Sequence, residues 1–349
     1  MTKQFNFLKK YGFIGLIGAG VLCLSWMTAQ AESPELSMRE LASGQIKKGV
    51  RSIGFGGDGA TWGNYGLVWK DAGTVLMDGG DTRYLGGNDF HFSAVGFTTP
   101  PLWHDLAIYV IALNQDTNTI YFNAKSPGLG AASVPLRGTG NDRAIFTKVA
   151  MPVTDTISAG VLMSYEMSHF SAAEQANSSI GVRYETRWRP SGGFGVAWQP
   201  EKTMLFGFRA LFNNDQERRI DSSGVATAPA RSAEYRLGGS IFVLDDTMVD
   251  VGGTRIDRFN GLANAGSTHY YPNIGIEQML LDRRLTLRAG LDETSPTMGI
   301  TYVANPLKID EAYVRDMAHD RVGNVFGTES NSFIVTVTLD YQRLFKDGN

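Results

Sequence analysis

The chain has 349 residues, with 32 Lys and Arg against 35 Asp and Glu, a formal net charge of −3, 41 glycines and one cysteine. That charge balance excludes a nucleic-acid binder, and a single cysteine excludes a disulfide framework and a cysteine-built metal centre. The length would allow several domains, but no Pro/Ser-rich or charged linker divides it.

Residues 1–31 read as a cleaved export signal. Lys3, Lys9 and Lys10 form a basic start, Gly12 to Met27 is apolar, and Ala29-Gln30-Ala31 supplies the small residues of a cleavage site. A retained membrane anchor is the alternative, and the polar Glu32-Ser33-Pro34 that follows argues for cleavage after Ala31. Cys23 follows Val21-Leu22 inside the apolar run rather than a small residue, which disfavours lipid attachment. Processing would remove three lysines, no acid and the only cysteine.

Residues 32–87 are expected to form an N-terminal helix and plug. Ser33 is a suitable N-cap with Pro34 at the first helical position, and Gly49 is a reasonable stop. The glycine-rich run Gly54 to Gly66 lacks the Lys-Ser/Thr ending of a phosphate loop and has no βαβ surroundings. A second run holds Asp78, Asp81 and Asp89 without EF-hand spacing, so a polar turn is favoured over a calcium loop.

From residue 88 to 349 the pattern is strands and turns. Ile157, Ala159, Val161, Met163, Tyr165 and Met167 alternate with Ser158, Gly160, Ser164, Glu166 and Ser168. Leu285, Leu287, Ala289 and Leu291 oppose Arg284, Thr286, Arg288 and Asp292, and Phe333, Val335, Val337, Leu339 and Tyr341 oppose Thr336, Thr338, Asp340 and Gln342. Alternation places the two sets on opposite faces of a strand. One apolar and one charged face, repeated about 14 times between alternately short and long links, predicts an all-β transmembrane antiparallel barrel with a glycine-rich plug. The short links are Pro152–Thr156, Gln199–Lys202, Leu244–Thr247, Leu281–Arg283 and Asn305–Pro306; the long ones include Asn213–Ala233, Phe259–Pro272 and Ala318–Ser330. Ser179–Trp188 and Phe194–Trp198 read as two strands, and Arg183, Arg187, Arg209, Arg284 and Arg288 are expected in the lumen facing Glu166, Glu185 and Asp340.

The stretch Gly192–Phe212 (G-G-F-G-V-A-W-Q-P-E-K-T-M-L-F-G-F-R-A-L-F) resembles the long-chain fatty-acid transporter family of outer-membrane barrels, which includes aromatic-hydrocarbon channels. Leu307–Val314 (L-K-I-D-E-A-Y-V) is similar to the penultimate strand of that superfamily and to accessory barrels of type IX secretion. The likeness implies capture of a hydrophobic small molecule outside the cell, passage through a plugged lumen and exit through the wall, in the outer membrane of a Gram-negative bacterium. Ser52–Asn64 stands where the family's plug begins, but its Asn-Pro-Ala stretch is missing, since W-G-N-Y-G-L-V-W-K-D-A-G-T-V-L has no proline.

An apolar pocket closed by a movable segment is what such transport demands. The candidate ligand-binding residues are Phe55, Trp62, Tyr65 and Trp69, aromatics that no lipid-facing belt requires; ordinary plug packing is the alternative. No catalytic set, metal site or cofactor is expected. His91, His104, His169, His269 and His319 have no ligand spacing and no G-x-S-x-G elbow occurs. Arg218, Arg219 and Arg231 could meet lipopolysaccharide phosphate in an outer leaflet. Two rival readings remain open: an accessory barrel that binds another exported protein, and a lipid hydrolase whose Ser, His and acid meet only in the fold.

Overall fold

The computed structural model describes residue 61 and residues 64–342, except 85–88, 118–119, 126–132, 175–180, 222–223, 261–266, 293–294 and 316–329. The expected signal (1–31), the helix after Ser33 and the glycine run 54–59 lie outside the described residues.

After a 3-10 helix at Tyr65–Asp71, the chain is strand: β1 (Thr74–Tyr84), β2 (Asp89–Thr98), β3 (Ala107–Thr117), β4 (Ile120–Lys125), β5 (Ser133–Pro152), β6 (Ile157–Glu174), β7 (Gly181–Glu201), β8 (Met204–Asp221), β9 (Gly224–Leu244), β10 (Thr247–Asn260), β11 (Ser267–Leu280), β12 (Leu285–Asp292), β13 (Ser295–Ala304), β14 (Leu307–Arg315) and β15 (Ser330–Asp340). Each pairs antiparallel with its neighbours, and β1 pairs with β15 from Thr74↔Asp340 to Tyr84↔Ser330. β3 and β4 pair one after the other with the same strand, β5, so they fill one place in the wall. The result is a closed 14-strand barrel. Closure matters physically because a bilayer offers backbone groups no partners.

The short connections between Pro152 and Ile157, Glu201 and Met204, Leu244 and Thr247, Leu280 and Leu285, and Ala304 and Leu307 all lie on one rim, with the start of β1 and the end of β15. Gly73, at φ 79°, turns the chain from the 3-10 helix into β1, a conformation that an L side chain rarely adopts.

The outer face is apolar. Met77, Val95, Val161, Met163, Phe194, Val196, Trp198, Ile274, Ile276, Leu287, Met298 and Phe333 are exposed, as expected of a lipid-facing belt. Glu311 interrupts it: it pairs with Ile300 on β13 and Val335 on β15, between Ile309 and Tyr313, with Asp310 and Ala312 buried inward beside it.

Several sequence expectations need correction. The wall begins at Thr74, not after residue 87, because the first part of the second glycine run, Asp78 to Tyr84, belongs to β1. Its Asp78 and Asp81 face opposite sides: Thr336 donates to Asp78 inside, whereas Asp81 meets His91 Nδ1 at 2.5 Å. From Gly181 on, the two expected strands Ser179–Trp188 and Phe194–Trp198 are one, β7, and most of Asn213–Ala233 is strand too. β5 to β9 run 18 to 21 residues, against 8 to 10 for β12 to β14. About ten extra residues at ~3.3 Å each carry that side roughly 30 Å further along the strands. Beyond the lipid no apolar outer face is required, so the alternation that marks a strand fades.

Candidate functional site: a two-sided lumen under a seated plug

The lumen is lined unequally. Along β8 to β13 and the lower part of β14 it carries clusters of paired charges. Glu234 accepts from Arg236 Nε at 2.6 Å and from Arg209 Nη2 at 3.3 Å. Arg288 Nε donates to Glu277 at 2.7 Å, Arg288 Nη1 lies 3.6 Å from Asp310, and Lys308 Nζ lies 2.9 Å from Asp310. Thr301 donates to Asp310 and Ser240 to Asp250. Buried charges persist only where each has such partners. Of the expected lumen arginines, Arg209 and Arg288 are there. Arg284 sits exposed on the short-turn rim, and Arg183 stands half-exposed in the tall extension, 2.7 Å from Glu185. Both departures follow from strand ends: Arg284 lies just before β12 begins, and Arg183 lies above the lipid.

The other side gathers an apolar patch, beside buried polar residues such as Lys148, Ser164 and Glu166. Phe92 and Ala94 on β2, Ile111 and Leu113 on β3, Ala144 and Phe146 on β5, Leu162 on β6, Leu211 on β8, Ala312 and Val314 on β14 and Ile334 on β15 form one buried cluster, with Leu76 and Tyr109 against it. These positions were missed in the sequence, although a signal exists. Some are apolar residues in lumen phase within a strand otherwise polar there: Leu162 among Ser158, Gly160, Ser164 and Glu166, or Ile334 before Thr336.

The plug segment crosses between the two sides. Thr61 Oγ1 donates to Asp250 at 2.8 Å on the polar side. Asn64 Nδ2 donates at 3.0 Å to both the Val196 and the Phe208 carbonyl oxygens, which face each other across β7 and β8. Its Oδ1 accepts from Gly66 N–H at 2.9 Å, tying the turn. Lys70 Nζ donates to Gln199 at 3.0 Å. This close approach requires bare wall: a Cβ at Gly160 would overlap the Tyr65 carbonyl, one at Gly195 would overlap the Asn64 side chain, and one at Gly193 would lie 3.2 Å from the Tyr65 ring.

Tyr65 is fully buried and joins the apolar cluster. Arg209 lies 5.0 Å and Lys148 Nζ 5.7 Å from its ring centroid, with Lys148 also 5.0 Å from Tyr109. Burial raises the phenol's pKa above its ordinary value, so Tyr65 stays protonated, and its hydroxyl has no partner among the described residues. Of the other expected ligand residues, Trp69 lies in the 3-10 helix Tyr65–Asp71, and Phe55 and Trp62 lie outside the described residues. Below the plug, an open cleft of about 400 Å³ is lined by Leu67, Lys70, Ile157, Ser158, Ala197 and Leu205, among others.

Arg218 is taken up by Glu185 at 3.3 Å, and Arg231 is exposed on β9. Among the described residues no three His, Cys, Asp or Glu come together as a metal group.

No protein-family profile and no curated protein sequence matches the chain. Solved structures do. The toluene transporter TodX of Pseudomonas putida superposes with a TM-score of 0.54 at 10% identity, over 84% of this chain and 98% of TodX. A Pseudomonas aeruginosa FadL homologue gives 0.51 at 13% identity, over 90% and 99% of the two chains. The chain has the FadL-type barrel fold. The monoaromatic hydrocarbon channel CymD is a further FadL-type match, at TM-score 0.50 and 13% identity over 83% and 96%. At such identities the shared property is the fold.

Proposed function

We propose that this FadL-type barrel is an outer-membrane channel that binds and passes apolar small molecules without covalent chemistry. One observation carries the reading: a continuous apolar patch is gathered on one side of the lumen. A barrel filled merely for stability could pair charges all round, as β8 to β13 do. Eleven buried apolar residues from seven strands, closed by Tyr65, instead make a dry surface for an apolar cargo. Tyr65 would cover that surface until the plug moves. Neighbours that include a toluene transporter and a monoaromatic hydrocarbon channel support the same reading. An export signal at residues 1–31 would deliver the chain to that membrane, where lipid and lipopolysaccharide surround it. Phe55, Trp62 and Trp69 remain proposed contributors to the same pocket.

Uptake of radiolabelled p-xylene into proteoliposomes tests the proposal. The wild type should take it up faster than liposomes carrying Leu162→Asn, which puts a polar group in the patch. Equal rates for the two proteins and for empty liposomes would refute it.

A second reading rests on the tall β5–β9 wall, which gives an exported protein partner a five-strand surface above the membrane. Co-purification of a stoichiometric partner, lost on trimming that extension, would favour it.

A further inference from the structure

The apolar patch is edged by side chains whose hydrogen-bonding atoms are unused. Gln115 is the clearest. It stands in the lumen on β3, two residues above Leu113, directly across from Phe92 on β2, so two patch members flank it. It is 1% exposed, and neither its Oε1 nor its Nε2 has a hydrogen-bond partner among the described residues. At the opposite edge Thr297, 2% exposed, lies across β13–β14 from Val314, another patch member, and its Oγ1 also has no hydrogen-bond partner among the described residues. A buried amide left without hydrogen bonds costs about 1–3 kcal/mol, so an amide held there points to a group that completes it.

We propose, building on the channel reading, that this edge is a subsite for one uncharged polar group on an otherwise apolar cargo. The group is a hydroxyl. Gln115 offers an acceptor and a donor side by side, and a hydroxyl is the smallest neutral group able to use both. The aromatic surfaces of Phe92, Phe146 and Tyr109 lie in or against the same cluster, which suits a ring carrying the hydroxyl. The cargo class is therefore a phenol or similar alcohol, in preference to a bare hydrocarbon. Discrimination follows from the unmade bond: a hydrocarbon of the same shape leaves the amide unpaired, whereas the hydroxylated molecule completes it.

The test uses two probes of nearly equal shape, p-cresol and p-xylene, titrated against the purified full-length barrel in detergent micelles with correction for micelle partitioning. The wild type should bind p-cresol at least tenfold more tightly than p-xylene. Gln115→Met, close in volume and without the amide, should bring that ratio to about one while p-xylene affinity holds, which also shows that the variant is folded. Thr297→Val, at the opposite edge, should leave the ratio unchanged. A ratio near one in the wild type, or an unchanged ratio in Gln115→Met, overturns the subsite and shows that water alone occupies the edge; the channel reading then stands on p-xylene binding. Failure of both probes to bind the wild type overturns the channel reading and this subsite together.

Discussion

Gly160→Val offers the sharpest test of how the plug is held. Strand β6 is paired on both sides, from Leu136↔Glu174 to Pro152↔Ser158 with β5 and from Ile157↔Trp198 with β7, so the wall cannot retreat. The new side chain would overlap the Tyr65 carbonyl, and the plug must lift. Lifting loses Asn64's two bonds to Val196 O and Phe208 O, at about 1 kcal/mol each, and the burial of Tyr65, at about 2 kcal/mol. A shift of roughly 4 kcal/mol changes the ratio of seated to lifted plug about a thousandfold. Single-channel recording in a planar bilayer reads this directly: Gly160→Val should conduct small ions far more of the time than the wild type. Gly192→Ala is the control, since its Cβ would meet only the Leu162 oxygen at 3.5 Å. Conductance in Gly160→Val no greater than in the control would refute the argument that bare wall seats the plug.

Other substitutions probe separate links. Asn64→Asp replaces the donor facing two wall carbonyls by a carboxylate, so the plug should become protease-sensitive in intact cells while the barrel stays resistant. Arg288→Met would take one cationic partner from each of the buried carboxylates Glu277 and Asp310, the latter keeping Lys308; losing one partner of a buried pair costs about 3–5 kcal/mol, visible as a lower urea midpoint for unfolding from vesicles. Glu311 lies outward amid Ile300, Val335, Ile309 and Tyr313. A carboxylate on the lipid face is unfavourable, so Glu311→Leu should raise the unfolding free energy from urea titration by an amount on the order of 1 kcal/mol, and a lowered value would contradict its placement.

Much of the wall was legible in the residues because lipid and lumen impose opposite demands on alternate positions. Phe333, Val335 and Val337 against Thr336 and Thr338 announce a strand whatever its partners are. The short turns were legible for the same reason: they interrupt the alternation. Two things were hidden. Where strands rise above the bilayer, as in Asn213–Asp221 and Gly224–Ala233, no apolar outer face is required and the period carries no contrast. In β1, the pairs Asp78-Gly79-Gly80-Asp81 imitate a turn, and only pairing with β2 and β15 makes them strand.

The candidate site shows the same division. Sequence alone determined that Tyr65 follows a glycine-rich run ahead of the wall, and that Leu162, Leu211 and Ile334 fall in lumen phase. That these residues meet is decided by closure. Phase along a strand says which face a side chain takes, but not which strands bend round to share a lumen. Only the ring of pairings, with β15 returning to β1, brings Ile334 and Val314 beside Phe92 and Ile111, and sets Tyr65 against Gly160 and Gly193 from strands nearly a hundred or more residues away in the chain.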